Sequence, residues 1–204
     1  MNYFPPLESA DPDGLLAIGG DLSIERLQYA YQHGIFPWFS GKIPMWYSPD
    51  PRFVLFPDEL VISKSMKQVI RSGKFLFTIN QAFAEVIIKC SKIDREGQDG
   101  TWITPEMINA YIRLHEKGIA FSAETWQDGQ LVGGLYGVRV GKIFCGESMF
   151  SEQSNASKFA FINFVEYLQK EKVILIDCQI YTSHLSSLGA RMITRKDYVS
   201  LLNS

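Results

Sequence analysis

The spacing of apolar positions changes several times along the chain. Around residues 24–32, Leu27, Ala30 and Tyr31 recur at helical spacing. Ser23 suits the N-cap of that helix, and Gly34 suits the left-handed residue past its end. The next stretch, Phe36-Pro37-Trp38-Phe39-Ser40 and Trp46-Tyr47-Ser48-Pro49-Asp50-Pro51-Arg52, is punctuated by proline and cannot be regular helix. From about Val61 helices and strands alternate. Ser63 or Ser65 would cap a helix reaching about Ser72. Asn80 would cap another that buries Phe83, Ile87 and Cys90. Thr104-Pro105-Glu106 is a strong helix start, combining a capping threonine, proline at the first helical position and an acid near the positive end of the dipole. Met107, Tyr111 and Leu114 follow at helical spacing, and Gly118 stops the helix.

Strands come next. Residues 121–127 and 130–140 flank Asp128-Gly129, a hairpin signal. Gly141-Lys142 turns the chain into a third strand, over 143–150. A long helix is expected over 155–171. Val173-Ile174-Leu175-Ile176 then reads as a strand buried on both faces. This order predicts an α+β or three-layer α/β fold with a mostly antiparallel sheet. The loop-rich, aromatic residues 1–60 are expected to form a small N-terminal domain, and residues 61–204 the larger one.

Composition changes this picture little. An apolar content of 46% with 21% charged residues is ordinary for a soluble globular chain of 204 residues. No apolar run approaches a membrane span, and the N-terminus does not read as a signal peptide, so the expected location is the cytoplasm. Cys90, Cys145 and Cys178 are too far apart for a disulfide framework or a zinc site, and no metal is expected. The net charge of −2 leaves any phosphate ligand dependent on a local basic patch. Lys64, Lys67, Arg71 and Lys74 form such a stripe at helical spacing, without acids. Lys89, Lys92 and Arg95 cluster near a helix end, and Arg191, Arg195 and Lys196 follow the last strand.

Candidate chemistry gathers at the sheet. Asp177 and Gln179 alternate with Cys178, so they share one face at the end of the buried strand. A carboxylate there either satisfies backbone donors or is used. Glu147 is a second acid, and two carboxylates at one cleft would suit a cationic substrate. Trp38 and Trp102 lie outside the periodic patterns, where exposed rings could stack a base. A Cys145–His184–Asp177 triad would need a geometry that spacing alone does not supply.

Taken together and in order, Gly19-Gly20-Asp21-Leu22-Ser23, the two aromatic segments, Gly100-Thr101-Trp102-Ile103-Thr104, Phe144-Cys145-Gly146-Glu147-Ser148-Met149-Phe150-Ser151 and Ile176-Asp177-Cys178-Gln179 resemble the leucyl/phenylalanyl-tRNA–protein transferase family. The resemblance spans about residues 13–198. It implies a small N-terminal domain and a C-terminal domain with the acetyltransferase-like (GNAT) fold, without metal, CoA or other cofactor. It implies transfer of Leu or Phe, and less well Met, from aminoacyl-tRNA to proteins beginning with Lys or Arg, which marks the acceptor for degradation. A monomer is expected. By motif, Trp38 and Trp102 correspond to residues that hold the terminal adenosine. Glu147 corresponds to a substrate-contacting acid, and Asp177 and Gln179 to the catalytic pair. Leu135, Phe144, Phe164 and Ile176 lie where the family builds its apolar amino-acid pocket.

The reaction so implied is aminolysis of an ester. Asp177 would orient Gln179, whose amide oxygen would hold the incoming amine. The proton would pass to Asp177, to water or to the leaving ribose oxygen. Glu147 would then serve the acceptor's cation or the aminoacyl amine. A CoA-dependent N-acetyltransferase is the alternative on the same fold, but the stretch from Ser151 to Lys158 carries an acid and no glycine where a pyrophosphate cradle is needed. A non-catalytic RNA-binding protein would keep the tryptophans and the basic stripe without needing Asp177, Gln179 and Glu147.

Overall fold

The computed structural model describes residues 3–93 and 102–204. Arg95 and the Gly100-Thr101 pair of the fourth motif lie outside the described residues. The first part contributes a three-stranded sheet in the order β1 (Leu15–Ile18), β3 (Met45–Tyr47), β2 (Phe36–Pro37), covered by α1 (Ile24–Gln32). Ser23 caps α1 by accepting from the Arg26 amide, and Gly34 takes a φ of 77° beyond the helix end. The proline-rich segments thus build short strands whose aromatics pack inward.

The larger sheet has seven strands. Its order is β10 (Arg191–Ile193), β4 (Arg52–Leu55), β9 (Leu175–Gln179), β8 (Ile143–Ser151), β7 (Gln130–Val140), β6 (Ala120–Gln127), β5 (Leu76–Ile79). Every neighbouring pair is antiparallel except β8 and β9, which run parallel. The fold is therefore α+β with a small sheet and a larger mixed one. β4 comes from the first sixty residues, yet it sits inside the large sheet, because Arg52-Phe53-Val54-Leu55 is buried throughout and needs a partner on both edges.

Alternation along these strands divides the core in two. One cluster joins Val54, Cys145 and Leu175 to α1, α3 (Phe83–Ser91), α4 (Pro105–Glu116) and Tyr198 of α7 (Arg195–Leu202). The other joins Phe53, Leu55, Phe144 and Ile176 to α2 (Lys64–Arg71) and α5 (Ala156–Lys170). The sheet is thus sandwiched between helices. Thr104 and Ser63 cap α4 and α2 through their side chains, as expected. Asn80 does not cap α3. It adopts a φ of 59° and accepts the Ser122 amide through Oδ1, while buried Glu124 receives the Ala82 N–H at the helix start. Tertiary contact with β6 outcompetes local capping there. The Asp128-Gly129 hairpin forms with both residues at positive φ, matching the right-handed twist of the strands.

Candidate active site

The site arises where the parallel pair comes apart. β8 and β9 pair at Ile143↔Leu175, Phe144↔Ile176 and Cys145↔Asp177, and no further. On its other side β8 bulges against β7. Gly146 faces Gly137, Ser148 faces Tyr136, and Glu147 is the extra residue between them. A side chain at position 137 would collide with the Cys145 carbonyl and the Phe144 ring, so glycine there lets β7 follow the bulge. β9 bulges as well, against β4 between Phe53 and Val54, and ends with Gln179 at a φ of 65°. The strands splay, and a cavity of about 490 Å³ opens between them.

All nine residues assigned from the sequence to catalysis and substrate binding line this cavity: Glu147, Asp177, Gln179, Trp38, Trp102, Leu135, Phe144, Phe164 and Ile176. They are not mixed. Leu135, Phe144, Phe164 and Ile176 belong to the cluster on the α5 face, and Phe144 meets Phe164 edge-to-face at 4.9 Å. Trp38 and Trp102 pack against the opposite cluster, and Trp38 meets Tyr47 edge-to-face at 5.4 Å. The polar groups sit at the splayed strand ends, with tyrosine partners from the cluster on the tryptophan side.

Asp177 and Glu147 differ sharply. Asp177 is fully buried and ion-paired to Arg52 in a two-point contact, Nε to Oδ1 at 2.8 Å and Nη2 to Oδ2 at 2.7 Å. Its Oδ1 also accepts the Gln179 amide at 2.9 Å, and Oδ2 accepts the Tyr198 hydroxyl at 2.9 Å. Arg52 lies between the rings of Phe36 and Tyr198, each centroid 4.7 Å away, and donates to the Gly34 carbonyl at 3.2 Å. Burial alone would push the guanidinium down, but the adjacent Asp177 carries it above its ordinary value. Arg52 therefore ties the first sixty residues to β9 and to α7.

Among the described residues, Glu147 has no cationic partner. Its carboxyl accepts Gln179 Nε2 at 2.8 Å and the Tyr111 hydroxyl at 3.1 Å, and Tyr111 is joined hydroxyl to hydroxyl with Tyr31 of α1. Burial raises it from the usual 4.5 to about 7 against the opposing pull of these donors. Burial, and then the Glu147 charge, keep Tyr31 and Tyr111 well above the normal phenol value, so both remain donors. Because Gln179 gives its NH₂ to Glu147, its carbonyl oxygen is left for a ligand.

The expected negative site is thus half neutralised, since Arg52 takes up one of its two acids. The sequence assigns no site role to Arg52, Tyr198, Tyr111 or Tyr31; the last two appear there only as positions on helix faces. A usable signal for the first existed: Arg52 opens one apolar strand and Asp177 lies in another, and two charges in apolar strands need each other. The triad fails, because Asp177 is held by Arg52 and burial pushes the Cys145 thiol well up, 3.9 Å from Tyr198 Oη. Among the described residues no group of three acidic, histidine or cysteine side chains could hold a metal ion. The start of α5 offers no open phosphate cradle either, because the Ala156 and Ser157 amides donate to the Gln153 carbonyl and Ser151 Oγ.

The basic stripe stands apart from the cavity. Lys64, Lys67 and Arg71 are exposed on α2, whereas Lys74 follows Gly73 beyond the helix end and rests 4.8 Å above the Phe75 ring. Lys89 pairs with Glu152, and Arg191 with Glu59.

The family model described as "Leucyl/phenylalanyl-tRNA protein transferase" matches residues 54–203, and the one described as its N-terminal domain matches residues 20–50. Relatives named leucyl/phenylalanyl-tRNA–protein transferase include one from Flavobacterium johnsoniae, 59% identical over 99% of this chain and 96% of its own length. Another, from Christiangramia forsetii, is 57% identical over 98% and 95%. Among solved structures, a GCN5-related N-acetyltransferase from Kribbella flavida aligns with 79% of this chain and 57% of its own, at 9% identity and a TM-score of 0.42, a likeness too slight to bear on function. With a family match over most of its length and relatives this similar along almost all of it, the chain belongs to the leucyl/phenylalanyl-tRNA–protein transferase family.

Proposed function

We propose that this enzyme transfers Leu or Phe, and Met less well, from aminoacyl-tRNA to the N-terminal α-amine of proteins beginning with Lys or Arg. The observation that carries the reading is the layout of the cavity. Two tryptophans lie on one face of the sheet, an apolar pocket on the other, and a carboxyl–amide pair at the gap between them. The terminal adenosine would stack at Trp38 and Trp102. The aminoacyl side chain would pass through the splay into the pocket of Leu135, Phe144, Phe164 and Ile176, where burial favours it by roughly 1.5–3 kcal/mol. Its ester carbonyl would then lie beside Gln179 and Glu147.

The amine nitrogen attacks the ester carbonyl carbon, the bond to the ribose oxygen breaks, and one proton moves from nitrogen to that oxygen. Gln179 holds the amine through its carbonyl oxygen. Asp177 is not the proton acceptor, because Arg52, Tyr198 and the Gln179 amide occupy both of its oxygens. It positions the Gln179 backbone instead. Glu147, with its proton affinity near 7, takes the amine proton and returns it to the ribose oxygen. The exposed Lys64, Lys67 and Arg71, with Lys74 beyond the helix, serve the tRNA backbone. The enzyme acts as a monomer in the cytoplasm, where charged tRNA is found, and needs no cofactor. No described helix is long and apolar enough to cross a membrane.

The test is transfer of labelled Phe from Phe-tRNA to two peptides differing only in an N-terminal Arg or Gly. Label on the Arg peptide alone supports donor, reaction and acceptor rule together. Label on neither, with tRNA still bound, leaves only RNA binding.

A further inference from the structure

The cavity has two rims. One carries Trp38 and Trp102. The other begins directly after Gln179 with Ile180, which lines the cavity yet is 41% exposed, followed by Tyr181 at 59%. The Tyr181 ring tilts against Phe53 at 5.3 Å. Phe53 is the register partner of Met192 on the edge strand β10, and Met192 is itself 44% exposed. Three large apolar side chains therefore form one exposed ledge, continuous with the cavity and running from β9 across β4 to β10. Most of the protein's other exposed large apolar residues (Ile18, Ile43, Leu76, Ile88) lie on other elements.

We infer that this ledge docks the acceptor polypeptide beyond its first residue and prefers an apolar side chain at the second or third position. The inference rests on the proposed transfer to a polypeptide N-terminus. An amine held at Gln179 obliges the rest of its chain to leave the cavity, and the tryptophan rim is taken by the donor. From β9 to β10 is two strand spacings, roughly 10 Å. An extended chain covers that distance in about three residues. The ledge is thus long enough for residues two to four and offers apolar surface rather than charge. A stacked nucleotide of the tRNA 3′ end on Tyr181 is the competing occupant.

The experiment uses two peptides, Arg-Phe-Gly-Gly-Ser and Arg-Ser-Gly-Gly-Ser, with Phe-tRNA as donor. The wild-type enzyme is compared with Met192→Ser and Tyr181→Ser. Met192→Ser changes an edge residue and guards against misfolding of the Tyr181 variant. The wild-type KM for the Phe-containing peptide should be about tenfold lower than for its Ser counterpart, the scale of losing one well-packed aromatic contact. Each variant should narrow that ratio, while KM for Phe-tRNA stays unchanged. Equal wild-type KM values, or a ratio that survives both substitutions, overturns the ledge. A rise in KM for Phe-tRNA in Tyr181→Ser assigns the ledge to nucleic acid instead. Absence of wild-type transfer to either peptide overturns the transferase reading, and the ledge with it.

Discussion

Two carboxylates lie on adjacent strands of this sheet, both buried, and their surroundings have sorted them into different tasks. Around Asp177 stand an arginine of β4, a phenol of α7 and a backbone amide, so every acceptor position is filled and the group is an anchor. Around Glu147 the described residues bring neutral donors, two linked tyrosines of α1 and α4 and the Gln179 side-chain amide. Burial then acts on Glu147 with no compensating cation among the described residues, and its proton affinity rises toward neutrality. A buried acid with a cation holds structure; one without a cation is left able to exchange a proton.

The sharpest test removes the proton-exchanging member. Glu147→Gln should lower kcat by about 10²- to 10⁴-fold, the usual weight of general acid–base catalysis. It should also erase the rise in rate through pH 7, leaving only the acceptor amine's own ionisation near about 8. Stability should respond in the opposite sense. Folding raises the Glu147 proton affinity from 4.5 to about 7, so the folded state holds the extra proton in that window. Its contribution is therefore present below the lower value and lost as pH rises through the upper one. Glu147→Gln should melt higher than wild type at pH 8 and lose the gain at pH 5, by thermal denaturation at both.

Next in size is the anchor. Arg52→Met leaves Asp177 buried without its cation and should cost about 3–5 kcal/mol in urea unfolding, whereas Arg52→Met with Asp177→Leu should recover much of it. Recovery of stability without recovery of turnover would separate the anchor's structural share from its hold on Gln179. If the double variant were as unstable as the single one, the ion pair would not be what carries the cost.

Smaller effects refine the contrast. Phe164→Ala should change the Phe-to-Leu ratio in kcat/KM by about 10- to 200-fold, with little change for the acceptor peptide. Tyr111→Phe removes one donor from Glu147 at about 1–3 kcal/mol and should move the pH–rate limb upward, since that hydrogen bond favours the carboxylate. Neutralising Lys64, Lys67 and Arg71 together should flatten the salt dependence of tRNA binding by about 0.7 per lost contact in log–log slope, without touching the pH profile.

How far all this could be read beforehand depended on range. Local rules decided the helix starts at Ser23, Ser63 and Thr104 and the hairpin at Asp128-Gly129. Each is settled within a few residues, so one chain is enough to see it. The order of motifs, which names the family, is legible in one chain too, although it runs along nearly all of it. Asn80 failed because a neighbour forty-two positions away claims its side chain. Arg52 and Asp177 are 125 residues apart, and Tyr31 and Tyr111 eighty. No local pattern could say that one acid would meet a guanidinium and the other a pair of phenols. That assortment, and with it the division between anchor and proton carrier, was decided by the splay of β8 from β9, because a carboxyl's proton affinity is set by what is packed around it.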